Sequence, residues 1–302
     1  MIRETLSELE AVENAMWDAK GEELAALDSR RFELLRACEN LTAEDRVLLA
    51  RHPRRPKIGQ YITALFTDFF AQRGDRQCRE DASILGGIAL FHGRPVTVIG
   101  HRKGSTIEEN MACNFGMPGP EGYRKAQRLM RQAEKFGRPV ITFLDTPGAY
   151  PGMQAEERGQ GEAIASSLAL MSRLRVPVIC IVTGEGNSGG ALAMGVGDRV
   201  LMLENAYYSV VSPEACATIL WKDAKKRGVA CEAMKLTAQD LLAFGVIDGI
   251  IPEAVGGAQR DVQALYAALD AAIARELEAL CAMDTQALLD ARYAKYRTIG
   301  LA

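Results

Sequence analysis

Charged residues alternate with Leu6, Leu9, Val12 and Met16, and then with Leu24, Leu27, Phe32 and Leu35, at steps of three and four. That period places one apolar stripe on a helix and predicts a helical arm over residues 1–50. HPRRP, from His52 to Pro56, ends it, because two prolines in five residues remove backbone donors. The apolar spacing that follows predicts a second helix over Tyr61–Phe70, and the basic run Arg51, Arg54, Arg55, Lys57 reads as a solvated turn.

Beyond Arg79 the pattern changes to β-rich apolar runs alternating with helical stretches. GRPVTVIG from Gly93, GRPVITFLD from Gly137 and RVPVICIVTG from Arg175 each open on a Pro-Val step, and they begin 44 and 38 residues apart. Proline at the start of a strand forfeits the fewest ladder bonds, so three similar strands are predicted. Helical spacing over Pro120–Phe136 and Ala155–Leu174 leads into the second and third of them. Further strands are predicted at Arg199–Leu203 and near Gly245–Ile251, and helices from Gly257 to the end. Strands alternating with helices imply an α/β fold with a mostly parallel, covered sheet.

Composition narrows the functional classes. The 302 residues are 48% hydrophobic and 25% charged, with 36 Lys plus Arg against 39 Asp plus Glu. A net charge of -3 gives no reason to expect nucleic-acid or anionic-membrane binding. Seven scattered cysteines without a CxxC predict reduced thiols and no metal site in this chain. An acidic amphipathic start and no long apolar stretch predict a cytoplasmic protein without a signal peptide or a membrane span.

The chemistry concentrates in GEGNSGGALAMGVGD, from Gly184 to Asp198. Gly184-Glu185-Gly186-Asn187-Ser188-Gly189 fits the GxGxxG of a dinucleotide turn, and Glu204 stands twenty residues on, as a ribose ligand would. A nicotinamide-dependent oxidoreductase is therefore the alternative reading. Gly186–Gly190 also fits GxSxG, with Ser188 as nucleophile, but His52, His92 and His101 all precede it, whereas hydrolases of that type place histidine after the serine. The phosphate-binding GxxxxGK[ST] fails, because Gly190 and Ala191 stand where lysine and a hydroxyl are required. A fourth reading needs no side chain. Gly189 and Gly190 fall in the first turn after a strand, where backbone N–H groups lack intrahelical partners and an absent Cβ lets an anionic oxygen approach.

The same glycine segment, with FLDTPGAYPGMQAEERGQGEAIA, NFGMPGPEGYRKAQRLM, YSVVSPEACATILWKDA and ARHPRRP, resembles the carboxyltransferase alpha subunit of bacterial acetyl-coenzyme A carboxylase from about Ala50 onward. The resemblance implies a crotonase-like spiral of repeated ββα units over residues 57–256, an N-terminal helical arm over 1–56 and C-terminal helices over 257–302. It implies half an enzyme, completed by a beta subunit that carries zinc, two copies of each chain forming the assembly, with biotin carboxylase in the larger complex. Carboxybiotin on the biotin carboxyl carrier protein would then deliver its carboxyl group to acetyl-coenzyme A, giving malonyl-coenzyme A. By resemblance, Gly189 and Gly190 hold the biotin ureido oxygen as charge collects on it, and the beta subunit holds the thioester oxygen. Gly186 and Ser188 belong to the substrate-binding turn, Gly148 and Ala149 to the pocket wall, and Lys103 is a candidate for the phosphates of coenzyme A. Asn187 departs from the family's usual glycine (GEGGSGG).

Overall fold

The computed structural model describes residues 2–300. The arm folds as α1 (Ile2–Met16) and α2 (Glu22–Ala37), followed by α3 (Ala43–Ala50), which Thr42 and Asp45 begin with a reciprocal capping box. Leu6, Leu9 and Val12 bury as the period predicts, but α2 contributes Leu34 to the arm's small core and leaves Phe32 exposed. The predicted second helix is shorter than expected. It ends as α4 (Ile58–Leu65), and Thr67–Ala71 is strand β1. Backbone pairing with the next strand overrides the helical spacing there.

β2 (Ile84–Phe91), which periodicity did not single out, and β3 (Arg94–His101) form a hairpin turned by His92 and Gly93, both at positive φ. Then follow α5 (Ile107–Ala112), α6 (Pro120–Lys135), β4 (Val140–Thr146), α7 (Met153–Glu157), α8 (Gln160–Arg173) and β5 (Val178–Asn187). The single helix expected over Ala155–Leu174 is broken because Gly159 adopts the left-handed conformation between α7 and α8. The chain continues through α9 (Ser188–Leu192), β6 (Arg199–Leu203), β7 (Tyr207–Ser209), α10 (Pro213–Trp221), α11 (Arg227–Met234), α12 (Ala238–Ala243), β8 (Gly249–Ile251), α13 (Val262–Cys281) and α14 (Thr285–Thr298). Among the described residues, no helix is long and apolar enough to cross a membrane.

One sheet runs β1-β2-β3-β4-β5-β6-β8, with β7 alongside the far end of β5. Its first two pairings are antiparallel and the rest parallel, so the predicted parallel sheet carries an antiparallel edge. Pro139 and Pro177 stand just before their strands and use the group that proline retains: their carbonyls accept the N–H of Thr97 and of Val140. β5 is buried at all ten positions, in keeping with its β-branched and small residues over Val178–Gly184, and it buries Glu185 and Asn187 at its far end.

The C-terminal helix is tied to this sheet by one buried ion pair. Arg292 grips both oxygens of Asp198, from Nε at 2.8 Å and Nη2 at 2.7 Å, and donates to the carbonyls of Met171, Leu174 and Val176. Asp198 in turn accepts the N–H of Val178, the first residue of β5, at 2.7 Å. Removing the cation would leave a buried carboxylate and three carbonyls without their partner. Arg292→Ala is expected to cost about 3–5 kcal/mol, whereas Arg292→Met, which fills the volume, costs the same or less; urea unfolding of the two variants measures both.

Candidate functional site

The glycine segment and the DTPGAYPG loop meet at the C-terminal ends of β4 and β5, the region where open α/β sheets place their ligands. Pairing slips at Asp145, between Leu144 and Thr146. There Asp145 turns its carboxylate onto β5: a Cβ on Gly184 would lie 2.4 Å from Oδ1, and the same oxygen accepts the N–H of Glu185 at 3.0 Å. Gly184 and Gly186 are thus residues of a buried strand, at and beside the point where its pairing with β4 bulges. The dinucleotide reading needs them in a turn that wraps phosphates, and β5 supplies no such turn.

The turn comes after Asn187. Ser188 has φ +58°, a conformation that costs a non-glycine residue on the order of 1–3 kcal/mol and is retained only where its surroundings enforce it. Gly189 and Gly190 follow as the second and third residues of α9, and neither N–H donates a hydrogen bond among the described residues. The two glycines are not equivalent. A Cβ on Gly190 would meet Ala149 N at 2.4 Å and Gly148 C at 2.5 Å, so the DTPGAYPG backbone lies directly against it. A Cβ on Gly189 would meet only Ile164, at 3.4 Å. Gly148 itself has φ +142°, and its N–H donates to Thr146 Oγ1 at 3.0 Å. The fold therefore brings Gly148, Ala149, Gly189 and Gly190 together.

A cavity of about 510 Å³ opens at this turn. Ser188 and Gly189 line its mouth, and Leu192, Tyr208, Leu241 and Val246 contribute to its largely apolar wall. Gly190 lies beside it, buried, and Gly186 is screened by the Tyr208 ring, which a Cβ there would touch at 2.8 Å. Ser188 is exposed and its hydroxyl has no hydrogen-bond partner among the described residues, so no base activates it. His52 and His92 stand elsewhere, the latter paired with Asp270. His101 is buried near the Asp145 main chain; burial, with Lys103 adding to it, pushes its ring down to about 3, which keeps it neutral.

Lys103 is placed differently from a surface cation. Its Nζ lies 2.7 Å from Asp145 Oδ1 and 2.7 Å from Glu185 Oε1, with all three side chains largely buried. The basic run is likewise absorbed into the structure. Arg51 donates to Glu185 at 2.7 Å and to Glu214 at 2.7 Å, and buried Arg55 donates to Thr183 O at 2.6 Å and pairs with Glu253. The solvated turn expected from sequence is, at Arg51 and Arg55, an internal ion-pair clamp. No spacing rule signals this, because the partners lie 128–198 residues away.

A protein-family profile described as "Acetyl co-enzyme A carboxylase carboxyltransferase-like" matches residues 1–300. The chain belongs to this family. The acetyl-coenzyme A carboxylase carboxyl transferase subunit alpha of Listeria monocytogenes serotype 4b is 56% identical over 262 residues, covering 87% of this chain and 82% of the relative. That of Geobacillus sp. (strain WCH70) is 53% identical over 300 residues, covering 99% and 92%. Among solved structures, transcarboxylase 12S shares the fold at a TM-score of 0.61 and 19% identity, covering 82% of this chain and 44% of that one. Membership of the carboxyltransferase alpha family supports the carboxyl-transfer reading over the oxidoreductase one.

Burial works to raise the Glu185 carboxyl, but Lys103 and Arg51, with the hydrogen bonds from Lys103 and Tyr207, prevail and hold it at about 2. A depressed folded-state value means that its stabilisation is full above the ordinary carboxylate range and is lost as pH falls from about 4.5 through about 2. Lys103→Met would leave the buried Asp145 carboxylate without its cation and Glu185 with Arg51 alone. We expect that variant to lose about 3–5 kcal/mol at pH 7 and to show a flatter loss of stability between pH 5 and pH 2, read from melting temperatures across that range.

Proposed function

We propose that this chain, with a beta subunit, forms the carboxyltransferase that moves the carboxyl group of carboxybiotin, carried on the biotin carboxyl carrier protein, to acetyl-coenzyme A and so makes malonyl-coenzyme A. The observation that carries the reading is the pair of unbonded amides at Gly189 and Gly190, set beside an apolar cavity and backed by Gly148–Ala149. When biotin gives up its carboxyl group, negative charge develops on the ureido oxygen. Two main-chain donors held at that position would need no reorganisation, and each such donor is worth about 3 kcal/mol, or on the order of 10²-fold in rate. Once a partner covers the cavity, its apolar wall would exclude water, which would weaken those bonds. Proton transfer by a side chain is not part of this half of the reaction, in keeping with a neutral, buried His101 and an unactivated Ser188.

The reading requires a partner, because a thioester oxygen needs its own donors and this turn offers one pair. Exposed apolar side chains support a covering subunit beside the cavity: Val210 on its rim is 83% exposed, and Ile219 and Leu220 on α10 are 71% and 62% exposed. The zinc, the two-alpha, two-beta stoichiometry, the association with biotin carboxylase and the cytoplasmic location belong to the same proposal. Within it, Lys103 acts on the site through Asp145 and Glu185, and a role toward coenzyme A phosphates would require it to leave both.

Malonyl-coenzyme A decarboxylation in the presence of biotin tests the reading. The isolated chain is expected to be inactive, and activity to appear when the beta subunit is added. In that complex, Gly190→Ala is expected to lower turnover on the order of 10²-fold by displacing the donor pair. Gly189→Val, whose side chain has only Ile164 to displace, is expected to lower it at least about tenfold while the complex still assembles. Unchanged turnover in assembled Gly189→Val and Gly190→Ala complexes would make this chain a scaffold.

A further inference from the structure

Asn187 occupies the position immediately before the strained turn, and its side chain is wholly buried. A buried amide must find partners, and each end of this one does so on or beside β7. Nδ2 donates to the Tyr207 hydroxyl at 2.9 Å, and Oδ1 accepts from Ser209 Oγ at 2.9 Å, whose single hydrogen also faces Val211 O at 2.6 Å. Tyr207, fully buried, donates its own proton to Glu185 Oε2 at 2.6 Å and accepts a further bond from Arg51 Nη2 at 2.8 Å. Its phenol oxygen thus has its donor and both acceptor sites occupied. Glu185 continues the connection to Lys103 and, through it, to Asp145.

We propose that Asn187 and Tyr207 act together as a positioning pair that sets the direction of the Gly189 and Gly190 amides. The geometry gives the reason. Ser188 holds a left-handed conformation with an exposed side chain whose hydroxyl has no hydrogen-bond partner among the described residues, so something outside that side chain must enforce it. On its C-terminal side Gly190 is held by Gly148 and Ala149. On its N-terminal side the nearest fixed point is Asn187, where β5 pairs with Ser209 of β7 and the side chain adds two bonds across the same pairing. Freed from those bonds, the backbone at Asn187 and Ser188 is held only by the ladder and the short first turn of α9, and the amides can turn from the oxygen they would serve. A glycine at this position has no side chain to do this, so the brace is a property of this chain's asparagine and tyrosine together.

The inference rests on the proposed role of Gly189 and Gly190, and the test separates the two. In the complex with the beta subunit, Asn187→Ala and Tyr207→Phe are each expected to reduce kcat for biotin-dependent malonyl-coenzyme A decarboxylation about tenfold, with KM for malonyl-coenzyme A within about twofold of the parent. The double variant is expected to fall short of the product of the two single losses, because both remove the Asn187–Tyr207 contact, although each also loses bonds of its own to Ser209 or to Glu185 and Arg51. Turnover of Asn187→Ala within about twofold of the parent, losses that multiply in the double variant, or a loss that appears in KM instead of kcat would each overturn the positioning role. Gly190→Ala, run alongside, reports on the underlying reading: if it is slow while Asn187→Ala is not, the brace alone is wrong, and if both turn over normally, the donor reading itself fails.

Discussion

A single ammonium group between two carboxylates organises the end of this sheet. Lys103, Asp145 and Glu185 come from three adjacent strands or their ends and are largely shielded from water, where unpaired charge is costly. Burial would push the Glu185 carboxyl and the Lys103 ammonium toward their neutral forms; mutual attraction reverses the direction for both. The cluster therefore sets more than charge. Asp145 fills the space left by Gly184 and caps the Glu185 amide, which brings the DTPGAYPG loop beside the glycine turn. Glu185 passes the constraint to Arg51, and so to the base of the helical arm.

The unbonded amides of the turn owe less to a helix than its sequence suggests. α9 has only five residues, too few to build a large macrodipole. What leaves the Gly189 and Gly190 amides unpaired is local: a strand that ends at Asn187, a left-handed Ser188, and a neighbouring backbone that only glycine at position 190 can accommodate. In the proposed role, preorganisation would rest on strain at one residue and on packing on either side. Such a device needs no titrating group, which fits the absence of any base at Ser188 among the described residues.

Two regions illustrate how legibility fails. At 67–71 the side-chain spacing suits a helix, yet the segment pairs with Gly87, Ile88 and Leu90, because an open sheet edge offers backbone bonds that no local pattern records. At Arg51 and Arg55 the local signal is a proline-rich basic turn, and only residues such as Glu185, Glu214 and Glu253 convert it into an internal clamp. Lys103 follows the same rule, since its carboxylates are 42 and 82 residues away in the chain.

The amino-acid order by itself determined the alternation of strands and helices, the Pro-Val strand starts, the glycine turn and its family, because these depend on periodicity, backbone conformation and contiguous motifs. It also marked Gly189 and Gly190 as candidate donors and, through the resemblance to the family, Asn187 as a departure from the usual glycine. Folding alone decided that Gly190 must lack a side chain while Gly189 has room, that Lys103 is enclosed by carboxylates, and that Asn187 reaches Tyr207. The physical reason is distance. Excluded volume and buried charge pairing act between groups brought within a few ångströms by the sheet, and residues far apart in the chain carry no record of one another until the strands are laid side by side.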